Sequence, residues 1–498
     1  MVANNEKRLV IVSNRLPVSM SRKGDKWVAQ PSAGGLVSAL GPVLRHRGGV
    51  WIGWPGVPNL PHAKRVLKNA TEGIGYTLIP VNLTEEDLEQ YYYGFSNEVI
   101  WPLFHGLQSL CNYDPEYWKA YERVNRKFAQ VIAKESLPGD HLWVHDYQLI
   151  NVAQDLRHQG FRGLVGFFLH IPFPAVDVYL KLPWRRQILE SLLAYDLVGF
   201  QTLHHKRNFI QCLRGMFSDV TVVGKGPVSL VTVEGRQLRV GYFPIGIDFQ
   251  AFYRGAQSPE VEAESKNLTF ALRNRTLVLG VDRLDYTKGI PYKLDAMRNA
   301  LRLFPELRHK INLIQVVVPS REEIPRYEEL KMEIEQLVGK INGEFGEPGW
   351  VPIHYIYRSL TRTELMAYYR TSQIALITPL DDGMNLVAKE YCACSVDGNN
   401  ALILSEFAGA AAQLQRGALL VNPYDHIGVA EAIHTAYLMK PEERAERMAR
   451  LRRNVQTQDV FRWVRSFLQA GFEMDLSAFP QREVVEDAFD EYFWGEPG

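Results

Sequence analysis

The stretch TLVLGVDRLDYTKGI, residues 276–290, carries an apolar run straight into a loop that holds Arg283 and Lys288 beside Gly289. Its unbroken apolar start suits a strand buried on both faces of a parallel sheet. Two cations at the end of such a strand, next to a residue that allows close backbone approach, point to an anionic ligand.

The same grammar runs through the whole chain. RLVIVS, HLWVHD, LVGFFLH, DLVGFQT, VTVV and RVGYFPI read as strands in the first half. INLIQVVV, PIHYIY, QIALITP, ALILSEF and GALLV follow in the second. Amphipathic stretches such as RRQILESLLAYD, PYKLDAMRNALRLF and RYEELKMEIEQLVGKI lie between them. This alternation predicts an α/β fold with helices on both faces of parallel sheets. About a dozen strands exceed one comfortable sheet, so two domains are expected. They run over 1–245 and 246–475, with the polar stretch near AQSPEVEAESKN close to the break, and 476–498 forms a terminal helix or tail packing back on the first domain.

Composition narrows the function. The chain has 498 residues, 46% hydrophobic and 22% charged, with 56 Lys and Arg balancing 56 Asp and Glu. No global basic field recruits nucleic acid or an anionic membrane, so any anion site is local. The apolar run near the N-terminus is too short for a signal-peptide core, and no run reaches the length of a membrane span. Cys111, Cys212, Cys392 and Cys394 are scattered, and the CAC at 392–394 lacks the spacer of a zinc or redox pair. Buried free thiols in a cytoplasmic enzyme are expected, with no metal and no cofactor; whether the chain forms a homo-oligomer stays open.

Polar residues recur directly after the strands. Ser13-Asn14-Arg15, His145-Asp146 and His170 do so in the first half. Arg283 and Lys288, Ser320-Arg321, Asp381-Asp382-Gly383 and Glu406 do so in the second. Open α/β sheets bind ligands at the carboxyl ends of their strands, which predicts two such rows across a cleft.

The second row suits a nucleotide-sugar donor. Negative charge grows on a departing diphosphate, and fixed cations or a metal must meet it. Arg283 supplies a planar fork and Lys288 a point charge; a solvated loop is the plainer alternative. Gly383 reads as opening a helix through MNLVAKEYCAC, whose first N–H groups can bind phosphate. Glu390, two turns along, suits vicinal ribose hydroxyls, and Asp382 sugar hydroxyls. Capping competes as an explanation for the paired acids, above all for Asp381. In the first row, Gly34 and Gly35 permit close approach of a diphosphate. Arg15 and Arg321 suit an anionic acceptor, and Trp54 and Trp101 offer ring faces to a sugar, although single tryptophans are more often core.

These segments together resemble the trehalose-6-phosphate synthases, retaining glycosyltransferases with two Rossmann-like domains (GT-B class). The likeness spans nearly the whole chain: LVIVSNRLPV, SAGGLVSAL, YYYGFSNEVIWPLFH, WVHDYQL, FFLHIPFP, GVDRLDYTKGI, PLDDGMNLVAKEY, SEFAGAA and VNPYD. It implies transfer of glucose from UDP-glucose to glucose 6-phosphate without a metal. Arg15, Tyr92, Trp101 and Arg321 match positions that contact glucose 6-phosphate. Gly35, Arg283, Lys288, Leu386, Val387 and Glu390 match nucleotide contacts, and Asp146, His170 and Asp382 surround the reacting sugars. His170 is expected to hydrogen-bond a donor sugar hydroxyl. One position departs: Asp381 stands where many members carry Arg, which opens the question of donor base. A synthase for glycerol 3-phosphate and a non-catalytic sugar-phosphate sensor are the competing readings. Arg15, Tyr92, Trp101 and Arg321 together favour a phosphorylated sugar, since glycerol has no ring for a tryptophan to cover, and the intact Arg283, Lys288, Asp382 and Glu390 argue against a mere sensor.

Overall fold

The computed structural model describes residues 8–472, apart from 24–25, 32–36, 38–39, 42–43, 46–47, 72–73 and 273–274. It divides into two compact units. One comprises the chain up to Ile245 together with the helix Val460–Phe472, and the other spans Gly246–Asp459.

The first unit carries β1 (Leu9–Arg15), the hairpin β2 (Val18–Lys23) and β3 (Lys26–Pro31), β4 (Val50–Trp54), β5 (Thr77–Pro80), β6 (His141–His145), β7 (Val165–Phe168), β8 (Leu197–Phe200), β9 (Val220–Val223), β10 (Val228–Val233) and β11 (Arg236–Tyr242). All but the hairpin join one sheet in the order β5-β4-β1-β6-β7-β8-β11-β10-β9. Pairing is parallel from β5 to β11, and β10 and β9 add an antiparallel edge. The order reverses at β1, which has β4 on one side and β6 on the other. Such a switch point opens a crevice at the carboxyl ends of the two central strands, where Arg15 and Asp146 stand.

The second unit has β12 (Thr276–Arg283), β13 (Ile311–Val318), β14 (Ile353–Tyr357), β15 (Ile374–Ile377), β16 (Ala401–Ser405) and β17 (Leu419–Val421). They form one wholly parallel sheet, β14-β13-β12-β15-β16-β17. Its switch lies between β12 and β15, above which stand Arg283 and the Asp381-Asp382 turn. The continuous apolar runs were the right signal here: β16 is buried along its whole length.

The expected second domain ran to residue 475, and this boundary is corrected. The helix Val460–Phe472 packs on the first unit, because its aromatic side chains match a surface built for them. Phe467 stacks on Trp143 with centroids 4.2 Å apart, and Trp463 meets Phe168 edge-on at 5.2 Å. Gly166 and Gly199 leave that space open, since a Cβ on either would come within 2.8 Å of the Phe467 ring. The segment 476–498 and Gly35 lie outside the described residues.

β2 to β5 and β10 were not expected. VWIGW hides a fully buried strand within a Gly, Pro and Trp-rich stretch that resembles a loop. No helix among the described residues is long and apolar enough to cross a membrane.

Candidate active site

In the second unit, the loop after β12 folds around one carboxylate. Asp285 is fully buried, and its Oδ1 accepts hydrogen bonds from Thr287 N at 3.0 Å and Thr287 Oγ1 at 2.9 Å. Its Oδ2 accepts from Arg321 Nη1 at 3.2 Å, with Arg283 Nη2 at 4.0 Å. Burial would push this carboxyl up, but Arg321, Arg283 and Lys288 outweigh it and hold it below the usual range. The Arg283 side chain stays 49% exposed, whereas that of Arg321 is 5% exposed and also donates to Tyr327 Oη.

Lys288 reaches the other loop. Its Nζ lies 2.7 Å from Asp382 Oδ2, while Asp382 Oδ1 accepts from Met384 N at 3.0 Å and Asn385 N at 3.2 Å. The two loops are also joined by Leu380 N donating to Thr287 O at 2.8 Å. Gly289 has φ 62°, and a Cβ there would sit 2.9 Å from Leu380 Cδ2. The glycine thus serves the approach of the two loops to each other. Behind them, Gly409 N donates to Asp382 O at 2.6 Å, and a Gly409 Cβ would fall 2.0 Å from Gly383 O.

The helix starts later than expected, at Leu386, and runs to Cys394. Asn385 caps it through Ala388 N, which leaves the first-turn N–H groups of Leu386 and Val387 without an intrahelical acceptor. Glu390 is therefore one turn along, not two. Tyr369 Oη donates to Glu390 Oε2 at 2.9 Å, and burial raises the pKa of this carboxyl.

Asp381 does not cap the helix, which corrects the expectation; Asp382 and Asn385 do that work. Asp381 is partly buried, and burial, then neighbouring Asp382, pushes its carboxyl up to about 7 against the pull of Lys288.

In the first unit, Arg15 lies over the Trp54 ring at 4.7 Å and near the Tyr92 ring at 5.8 Å. Tyr92 belongs to a π-type helix, Leu88–Ile100, that runs directly into Trp101–Phe104. Trp54 and Trp101 are both buried, so neither shows a sugar the open face expected of it. Trp54 instead backs the Arg15 guanidinium, a cation–π arrangement, and Trp101 packs between His105 and Tyr147.

Asp146 follows β6 directly, with φ 75° and ψ 167°, a region that residues other than glycine seldom occupy. Its Oδ1 accepts from His170 N at 3.1 Å. The His170 ring is engaged at both nitrogens, 3.1 Å from His145 Nδ1 and 3.3 Å from Gln201 Nε2. The Gln201 oxygen accepts from Ile245 N, so its amide donates to His170 Nδ1. Burial keeps both imidazoles neutral, with His170 pushed down to about 3 and His145 well below its usual value. Both ring nitrogens of His170 thus have protein partners. The backbone N–H of His170 holds the Asp146 carboxylate.

Asp146, Arg321 and Asn385 are three of the seven non-glycine residues with positive φ among the described residues. Strain of this kind gathers where a site over-determines its backbone. Sequence reasoning missed Asp285, Tyr327, Tyr369, Asn385 and Gly409. Asp285 stands in plain view between the two cations of the opening stretch, but a buried carboxylate leaves no pattern of its own. Among the described residues no cluster of His, Cys, Asp and Glu could hold a metal ion.

The profile of glycosyltransferase family 20 matches residues 7–471. A trehalose-6-phosphate synthase of Mycolicibacterium vanbaalenii is 44% identical over 472 residues, covering 93% of this chain and 95% of the relative. A bifunctional trehalose-6-phosphate synthase/phosphatase of Thermoproteus tenax is 43% identical over 97% of this chain, which spans 65% of that relative's length. The crystal structure of an α,α-trehalose-phosphate synthase (UDP-forming) from Burkholderia xenovorans in complex with glucose-6-phosphate superposes with a TM-score of 0.85, at 36% identity over 93% of this chain and 99% of that one. The E. coli trehalose-6-phosphate enzyme bound with UDP-2-fluoro glucose gives a TM-score of 0.84, at 36% identity over 93% and 98%.

Proposed function

The chain belongs to glycosyltransferase family 20, and from that membership we propose that it moves glucose from UDP-glucose to glucose 6-phosphate, with retention, giving α,α-trehalose 6-phosphate and UDP. The observation that carries this reading is the gathering of Arg283, Lys288 and Arg321 around Asp285 and Asp382 at the switch point of the second sheet.

In the reaction, the bond between the donor's anomeric carbon and the diphosphate oxygen breaks. The acceptor's anomeric oxygen bonds to that carbon on the same face, and its proton passes to the departing phosphate oxygen. Arg283 and Lys288 stabilise the charge that grows there, aided by the first-turn N–H groups of Leu386 and Val387. Glu390, steadied by Tyr369, accepts from the ribose hydroxyls. Asp382 and Asp146 accept from hydroxyls of the reacting sugars, the latter with its carboxylate held by the His170 N–H. Arg15, backed by Trp54 and beside Tyr92, receives the acceptor phosphate; Arg321 is assigned to the acceptor by its match to the family pattern. The protein's part is mainly alignment and charge stabilisation. Free thiols at Cys111, Cys212, Cys392 and Cys394 support a cytoplasmic setting.

The test is a matrix of UDP-, GDP- and ADP-glucose against glucose 6-phosphate and glycerol 3-phosphate, with product linkage read by NMR. An α,α-1,1 linked disaccharide phosphate from UDP-glucose and glucose 6-phosphate is expected. Faster transfer to glycerol 3-phosphate, or none at all, overturns the reading.

A further inference from the structure

We propose that Asp285 is a positioning residue for this reaction, an internal counter-anion that aligns Arg283 and Arg321 and competes with the phosphate groups they receive. The proposal rests on the phosphate-binding reading of the site given above. The carboxylate cannot wander: it is fully buried, with Oδ1 tied to Thr287 by two hydrogen bonds. Through Oδ2 it gathers guanidinium groups from two separate places, the end of β12 and the loop after β13. Arg321 reaches it from a left-handed backbone with φ 52°, a conformation that persists only under such restraint.

A purely structural ion pair would bury both partners. Arg283 instead lies 4.0 Å from Oδ2 with its side chain half exposed. A fixed anion beside a cation lowers its affinity for a free anion and fixes where it points. Ground-state binding of the diphosphate is thus given up for alignment in the transition state.

Asp285→Asn keeps the shape and an oxygen for Thr287 while removing the charge. By calorimetry at low ionic strength, UDP should bind about threefold more tightly or better, the scale of an exposed ion pair. Turnover should fall about tenfold or more, with a higher KM for the acceptor. Unchanged or weaker UDP binding by folded protein, or full turnover, overturns the proposal. If that variant does not fold, Thr287→Val loosens the carboxylate and keeps its charge. It should lower kcat about threefold or more at unchanged UDP affinity, and full kcat overturns the idea. Failure of the underlying reading looks different: the unaltered protein would not bind UDP or transfer to glucose 6-phosphate.

Discussion

Lys288 Nζ sits 2.7 Å from Asp382 Oδ2, and the other oxygen of that carboxylate holds the N–H groups of Met384 and Asn385. One acid therefore both shapes the turn before the helix and parks the lysine. A diphosphate bound at this point should draw Lys288 partly away while the turn keeps its form, since Oδ1 holds the turn through Met384 N and Asn385 N alone.

With Lys288 and Arg283 supplying the counter-charge, turnover should survive removal of divalent ions. Activity after exhaustive chelation is expected to stay close to its starting value. Loss that magnesium or manganese restores would show that the two side chains do not suffice.

Arg321→Ala should do two separable things. Losing a charge-assisted contact to the acceptor phosphate costs roughly 1.5–3 kcal/mol, so the KM for glucose 6-phosphate should rise about tenfold or more, well beyond any change for UDP-glucose. It also strips the closest cation from buried Asp285, a loss of about 3–5 kcal/mol where nothing compensates and less here, because Arg283 and Lys288 remain. Adding Asp285→Asn should restore much of the melting temperature and none of the acceptor affinity. Equal losses for both substrates would remove Arg321 from the acceptor site.

Asp381 sets a pH dependence whose sign follows from its raised pKa. The folded protein holds this proton up to about 7, whereas the unfolded chain releases it near 3.8. Stability from this group is thus present at acid pH and lost as pH rises from about 4 to 7. Asp382, Lys288 and Tyr424 are the titratable neighbours. In denaturant titrations, Asp381→Asn should gain on the natural protein as pH rises, by up to about 4 kcal/mol at pH 8. Its UDP affinity should also fall less between pH 6 and 8, because no new anion forms beside the diphosphate. Parallel pH profiles for the two proteins would refute both statements.

Gly409→Ala tests the brace behind the donor turn. Its Cβ would fall 2.0 Å from Gly383 O, a backbone atom with nowhere to go. A loss of about 1–3 kcal/mol is expected from such overpacking, with the donor KM rising as the Asp382 turn shifts. An unchanged melting temperature and donor KM would mean that the loop carrying Gly409 moves freely.

Much of this was legible beforehand because parallel strands announce themselves. β12, β13 and β16 are continuous apolar runs, and the polar residues that follow them point to the site. The sheet of the first unit was only partly readable, since β4 is short and its tryptophans and glycines look like a loop. The open face expected of Trp54 was misjudged for a related reason. A residue type tells what a side chain can do, but burial and prior hydrogen bonds decide which of those things it is still at liberty to do. Asp381 shows the same limit, because the capping work it suggested was already done by Asp382 and Asn385.

The helix that carries Trp463 and Phe467 bears on the order in which the protein can be made. Its aromatic rings complete the core of a unit whose sheet left the ribosome long before, with the whole of Gly246–Asp459 synthesised in between. Until it arrives, Trp143 and Phe168 lack this cover, so the earlier half of the chain is expected to stay incompletely packed. The later unit has no such wait, as every strand of its sheet lies within one continuous segment. A nascent chain halted at Asp459 should therefore display a protease-resistant second unit beside a first one that is still readily cut.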